Sequence, residues 1–251
     1  MIPKLTYFLL VLVVSTLGPT IVRRTHQLPT ASGATTTSSN QNRFQDAKQH
    51  FPTAEYVEPD LADPEKNRVK KEKQKRHNNF KLVSPNPQPW QEETNFLPEG
   101  NFDFPALPVS TSQLIVVGRV TDASAHLSEH KLNVYSEFSL ILSSVLKTPT
   151  KEITENSLLT IERPGGYVKY PNGQKILFRI SGWNMPKVGS EYLFFLNRRN
   201  NVDWEIVTAY ELTETGVLPL DESSQFEALK GSPSSEVLKQ VRALIAEPAP
   251  K

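Results

Sequence analysis

Two histidines set four apart give this sequence its sharpest chemical motif, His126-Leu127-Ser128-Glu129-His130. The H-x-x-E-H spacing is a zinc-peptidase pattern. On a helix both imidazoles would lie on one face and bind the metal, with Glu129 as general base and a third ligand from elsewhere. No histidine follows His130, so that ligand would be a carboxylate such as Glu152, Glu155 or Glu162. The surroundings speak against this chemistry. The motif lies between two predicted strands, in a segment too short for an active-site helix. The plain alternative is a polar loop with two histidines, which at most binds a metal casually.

Other catalytic patterns are weaker still. There is no G-x-S-x-G, and Gly231-Ser232 reads as the entry to a helix. The carboxylate pairs Glu92-Glu93 and Asp221-Glu222 fall in predicted loops, where nothing would bury an acid and raise its pKa. Gly165-Gly166 lacks the helix and lysine of a phosphate-binding loop. The chain has no cysteine, which removes disulfides, thiolate ligands, cysteine nucleophiles and lipid attachment at cysteine. No cofactor is expected.

One surface constellation stands out as a candidate ligand site. Tyr167, Lys169, Tyr170 and Lys175 interleave aromatic and basic side chains around Asn172-Gly173, with Arg163, Arg179 and Trp183 nearby in sequence. On a small barrel such a hairpin would stack bases and pair phosphates, as single-strand binders do. Outside the cytoplasm a glycan or peptide suits the same chemistry better. The plain alternative is a hairpin whose rings cover barrel surface and leave their hydroxyls wet.

These residues need elements to hold them. Leu114 to Val120 is β-branched and continuously apolar, which predicts a strand buried on both faces. Val134 to Lys147 predicts a second, with Val134, Phe138, Leu140 and Leu142 on one side and Tyr135, Ile141 and Val145 on the other. Ser157–Arg163, Lys175–Ile180, Tyr192–Leu196 and Trp204–Thr208 read as further strands. Val217-Leu218 reads as a short edge. Val237, Leu238, Val241, Leu244 and Ile245 fall at helical spacing behind the cap chemistry of Ser232 to Glu236. Their apolar stripe is expected to pack on the barrel, and Pro248 and Pro250 to stop the helix.

The first part of the chain differs in texture. Tyr7 to Val14 is an unbroken apolar run with Lys4 before it and Arg23-Arg24 after it. That is the layout of an export signal or of a short membrane anchor over residues 5–22, so the rest is expected to be periplasmic or extracellular. Residues 23–109 are polar and proline-rich. Thr35 to Asn42 holds no apolar residue, and Pro85, Pro87 and Pro89 alternate, so this region is expected to be a disordered tether. Within it Trp90, Phe96, Phe102 and Phe104 are candidates to dock on the domain that follows. Residues 66–77 form a basic run, either a solvated segment or a contact for an anionic membrane surface. Overall charge is balanced, 28 Lys+Arg against 27 Asp+Glu, which gives no reason to expect nucleic acid as partner.

Five segments carry a resemblance. They are Ile115-Val116-Val117-Gly118-Arg119-Val120; Tyr135-Ser136-Glu137-Phe138 running into Val145-Leu146-Lys147; Arg163-Pro164-Gly165-Gly166; Gly189 to Leu196; and Gly216-Val217-Leu218-Pro219-Leu220. In this order of elements the chain resembles small exported bacterial domains with an OB-like, tissue-inhibitor or netrin-like, β-barrel. The resemblance implies fold and exported location, and no activity. Disulfide-rich relatives of that kind use an N-terminal cysteine, so metalloprotease inhibition does not carry over.

The expected organisation is therefore a mainly β protein. Residues 1–22 form the apolar helical leader, 23–109 the tether, 110–222 an OB-like antiparallel barrel, and 223–251 a C-terminal helix and tail. The expected role is a non-enzymatic interaction or structural module of the cell envelope, with an unidentified protein, peptide or glycan as partner. The alternatives are the His126/His130 zinc hydrolase and single-strand or glycan binding by the Tyr167–Lys175 hairpin.

Overall fold

The computed structural model describes residues 50–59, 61–79, 81–97, 104–199 and 202–247. The leader at 1–22, the polar stretch at 35–42, Phe102 and the closing prolines lie outside the described residues. Among the described residues no helix is long and apolar enough to cross a membrane.

The chain is mainly β. A six-stranded sheet contains β3 (Leu114–Leu127), β4 (Val134–Lys147), β5 (Leu158–Pro164), β8 (Glu191–Arg199), β9 (Asp203–Thr213) and the short β10 (Gly216–Pro219). Strand β9 pairs with both β5 and β8, and β8 pairs with β3, so β3-β4-β5-β9-β8 close into a barrel. All its pairings are antiparallel except the parallel β5–β9 contact.

The continuous apolar run of β3 follows from burial on both sides. Leu114, Val116 and Val120 point into the barrel with Phe138, Leu140, Leu142, Tyr192, Phe194 and Leu196. Ile115 and Val117 point outward with Leu193, Phe195 and Tyr210. Helix α3 (Ser234–Ala246) covers that outer patch by burying Val237 and Val241. Each such side chain contributes roughly 1.5–3 kcal/mol through burial. The expected helix therefore packs where its stripe requires. Its start differs from expectation. Pro233 occupies the N-cap, no side chain caps the first turn, and Ser234 is the first helical residue.

One predicted face also changes. Ile141 is exposed as half of an outward pair with Leu158, whereas Val145 packs on the barrel interior. A register shift between Val117↔Ser144 and Gly118↔Leu142 leaves Ser143 without a direct partner and reverses the alternation before Val145.

The tether expectation is revised for much of residues 50–97. This segment forms β1 (Thr53–Glu55), α1 (Pro64–Arg76) and β2 (Glu93–Phe96). Strand β1 lies parallel to β6 (Gly166–Lys169), and β2 parallel to β7 (Lys175–Ile180), giving a second sheet in the order β1-β6-β7-β2. Its apolar side joins Ala54, Leu82 and Val83 to Leu127, Val134, Val168, Ile176 and Phe178. Parallel partners far away in sequence supply this order, which local composition does not reveal. Phe96 and Phe104 do pack on the domain, but Trp90 is 78% exposed. Helix α2 (Ser224–Glu227) adds Phe226 to the patch under α3.

Candidate functional site beneath helix α1

Helix α1 begins at Asp63, whose side chain accepts from the Glu65 and Lys66 amides, with Pro64 in the first turn. Glu65, Arg68 and Glu72 form an exposed ladder along it. No residue of the helix is buried. What holds it to the barrel is charge, so the solvated reading of residues 66–77 is corrected.

Lys70 pairs with Glu58 at 2.5 Å. Lys73 reaches Glu137 of β4 at 3.0 Å and also the carboxylate of Glu162 on β5. Arg76 grips both oxygens of Asp203 on β9, with Nε to Oδ2 at 2.7 Å and NH2 to Oδ1 at 3.0 Å. Such a fork is among the stronger protein ion pairs. His77, at the helix C-terminus, stacks flat on Tyr135 with centroids 3.6 Å apart.

The centre of this junction is polar and buried. His77 is 1% exposed and Glu162 3%. Nε2 of His77 lies 2.9 Å from Oε2 of Glu162, yet without hydrogen-bond direction. Neither ring nitrogen of His77 and neither oxygen of Glu162 has a directed hydrogen bond. Burial alone would raise the Glu162 pKa; the His77 contact and the Lys73 charge outweigh it and hold the carboxyl below its ordinary range. Burial likewise opposes the charge on Lys73, and Glu162 with Glu137 reverse that and raise its pKa. Tyr135 is pushed well above its usual value, first by burial and then by Glu137 and Glu162.

His77, Glu162 and Asp203 each present one donor atom within 4.8 Å of the others. Among the described residues they are the only group of three or more histidine and acidic side chains at metal-ligand spacing. Glu162 stands in the sequence as a third ligand for His126 and His130, but it faces His77 instead. His126 lies in strand β3 and bonds Ser124 Oγ at 3.0 Å, and His130 follows in a turn. No helix carries the pair, so the geometry required by the zinc-peptidase spacing is missing. Their nearest acidic contacts are also separate, Glu58 for His126 and, through Asn78, Glu129 beside His130.

The structure brings the hairpin residues Tyr167, Lys169, Tyr170 and Lys175 together, with Tyr170 packed away and the two lysines exposed. Tyr170 is 5% exposed, stacks on Tyr56 and donates its hydroxyl to the Ser84 carbonyl at 2.7 Å. Its pKa is pushed up to about 12, chiefly by burial. Lys169 pairs with Glu55 of β1, and Lys175 sits 4.1 Å above the Tyr167 ring. Trp183 lies in the following loop under the guanidinium of Arg163, 4.7 Å from its ring. The returning N-terminal segment thus occupies much of the surface expected to grip a ligand.

Asp221 lies in a loop, as expected, but the loop is buried there. Asp221 is 4% exposed and accepts from Arg163 at 2.8 Å, while Arg163 also donates to the Asn184 carbonyl. Sequence reasoning missed His77, Asp203, Lys73 and Glu137. The sequence signal that existed was a single histidine closing a basic run directly after a capped helix.

Comparison with protein-family models and with curated proteins finds no match for this chain.

Proposed function

We propose that this chain is a non-enzymatic, exported interaction module of the cell envelope, built on an OB-like barrel. The OB-like assignment is supported by strand order: the last barrel strand, β9, inserts between the third and fourth, lying parallel to the third. Export is supported by the apolar run and flanking basic residues of the leader.

The observation that carries the interaction reading is the edge of the second sheet, which no further strand covers among the described residues. Strand β2 is the terminal strand there, and two large apolar side chains bracket it, Trp90 at 78% and Leu97 at 84% exposed. An unpaired strand edge offers backbone donors and acceptors, and flanking apolar side chains give an incoming extended segment something to bury. The partner's chemistry is accordingly that of an extended peptide with apolar side chains.

The test is crosslinking pulldown from envelope extract with the full chain and a Trp90→Ala/Leu97→Ser variant. A protein captured by the parent and depleted at least severalfold with the folded variant is the expected result. No capture above background, or equal capture by both, contradicts the proposal.

A further inference from the structure

We propose that His77, Glu162 and Asp203 form a binding site for one divalent transition cation, with zinc the best match to the donor set. The three residues come from three elements, the end of α1, the middle of β5 and the start of β9. A cation here would tie the N-terminal segment to the barrel.

The first support is donor spacing. Imidazole nitrogen and carboxylate oxygen bind zinc at about 2.0–2.2 Å, so neighbouring ligands of a tetrahedral ion stand roughly 3.4 Å apart. His77 Nε2 lies 2.9 Å from Glu162 Oε2, and all three donor atoms lie within 4.8 Å of one another. Shifts of less than about an ångström bring them to coordination geometry.

The second support is independent of spacing. His77 and Glu162 are almost fully buried, and none of their four polar side-chain atoms has a directed hydrogen bond. Buried polar atoms without directed hydrogen bonds are rare because each one costs stability; Lys73 stands against one Glu162 oxygen, but both His77 ring nitrogens lack such a bond. A cation accepts lone pairs from nitrogen and oxygen at once, which no single hydrogen in this junction does.

The ring of His77 is already fixed for the task. It stacks on Tyr135, and its backbone carbonyl accepts from Asn133 Nδ2 at 3.2 Å. Arg76 need not leave Asp203, because a carboxylate has about four lone-pair sites and the guanidinium fork uses only two. Lys73 is the competitor. It lies on Glu162 and must withdraw to Glu137, which it already touches at 3.0 Å.

The experiment uses the full chain stripped with chelator, then titrated with Co2+ and, in competition with a chelating dye, with Zn2+. The expected result is one ion per chain, with visible cobalt absorption bands from a nitrogen-and-oxygen site. Asp203→Asn should weaken binding about 100-fold or more, as loss of a ligand does, and His126→Ala should leave it unchanged. If Asp203→Asn does not fold, Lys73→Gln decides: removing the competing ammonium should tighten binding about tenfold, the lower end of what neighbours of a metal ligand contribute. Absence of stoichiometric uptake by the folded parent would overturn the site. So would binding that is unchanged in folded Asp203→Asn, abolished in His126→Ala, or unchanged or weakened in Lys73→Gln.

Discussion

Replacing Glu162 by Gln removes the negative charge at the centre of the α1–barrel junction while keeping its size. Taking one partner from a buried ion pair costs about 3–5 kcal/mol in general. Here the loss is smaller, because Lys73 keeps Glu137 at 3.0 Å and is 20% exposed. The glutamine oxygen also remains an acceptor. An outcome near 2 kcal/mol follows, and about 1.4 kcal/mol is a factor of ten, so α1 should open about 30 times more often. Since α1 buries none of its own residues, the change should be local. Amide hydrogen exchange at pH 7 reads it, through protection of Asn67 to Arg76 against that of β3 and β8. The pH dependence has a definite sign. The Glu162 pKa is lower folded than unfolded, so its contribution is fully present above about pH 4.5 and is lost as pH falls through the depressed folded value. The parent should approach the variant only in that acid window. Equal α1 exchange in parent and variant would refute the reasoning. Loss of protection in the barrel by the same factor as in α1 would refute it as well.

Four further substitutions separate buried from exposed features. Asp221→Asn leaves the Arg163 guanidinium, which has no exposed surface, without its counter-charge, so calorimetry should show a loss of about 3–5 kcal/mol. Lys169→Ala breaks a pair in which both side chains are about half exposed, 51% and 52%, and denaturant midpoints should move by less than about 0.5 kcal/mol. Gly216→Ala forces a side chain onto a φ of +123° and sets its Cβ 2.6 Å from the Gly231 carbonyl oxygen. Backbone strain plus that collision should cost about 3 kcal/mol or more, read as a fall in thermal midpoint, whereas Gly173→Ala meets open space and should lose only about 1 kcal/mol from its positive φ.

The barrel was legible because its strands write their environment into composition. Leu114 to Val117 and Tyr192 to Leu196 are apolar on both faces, and each is sandwiched between the barrel interior and α3. Lys175–Ile180 and Val134–Lys147 were bounded correctly by turn residues and by apolar runs. Helix α1 was not legible in this way. It buries nothing, so it has no stripe, and its partners Glu137, Glu162 and Asp203 lie on three different strands. The same limit concealed the cluster around His77, whose chemistry arises only when β5 and β9 are brought side by side. Strands β1 and β2 are three and four residues long, too short for an alternating pattern. The hairpin aromatics show the converse. Tyr170 has the composition of a binding residue, but the segment around Tyr56 and Ser84 returns to cover it.

The described parts of residues 50–97 belong to the folded domain, and α1 lies on the barrel through its charged side chains. A zero-length carbodiimide crosslink, mapped by peptide mass spectrometry on the monomeric full chain, tests this placement most directly, since this reagent joins only amines and carboxylates in contact. A Lys73–Glu137 or Lys73–Glu162 link, together with Lys70–Glu58, is the expected product. Recovery of α1 lysines linked only to acids within the helix itself, with none reaching β4 or β5, would contradict the account.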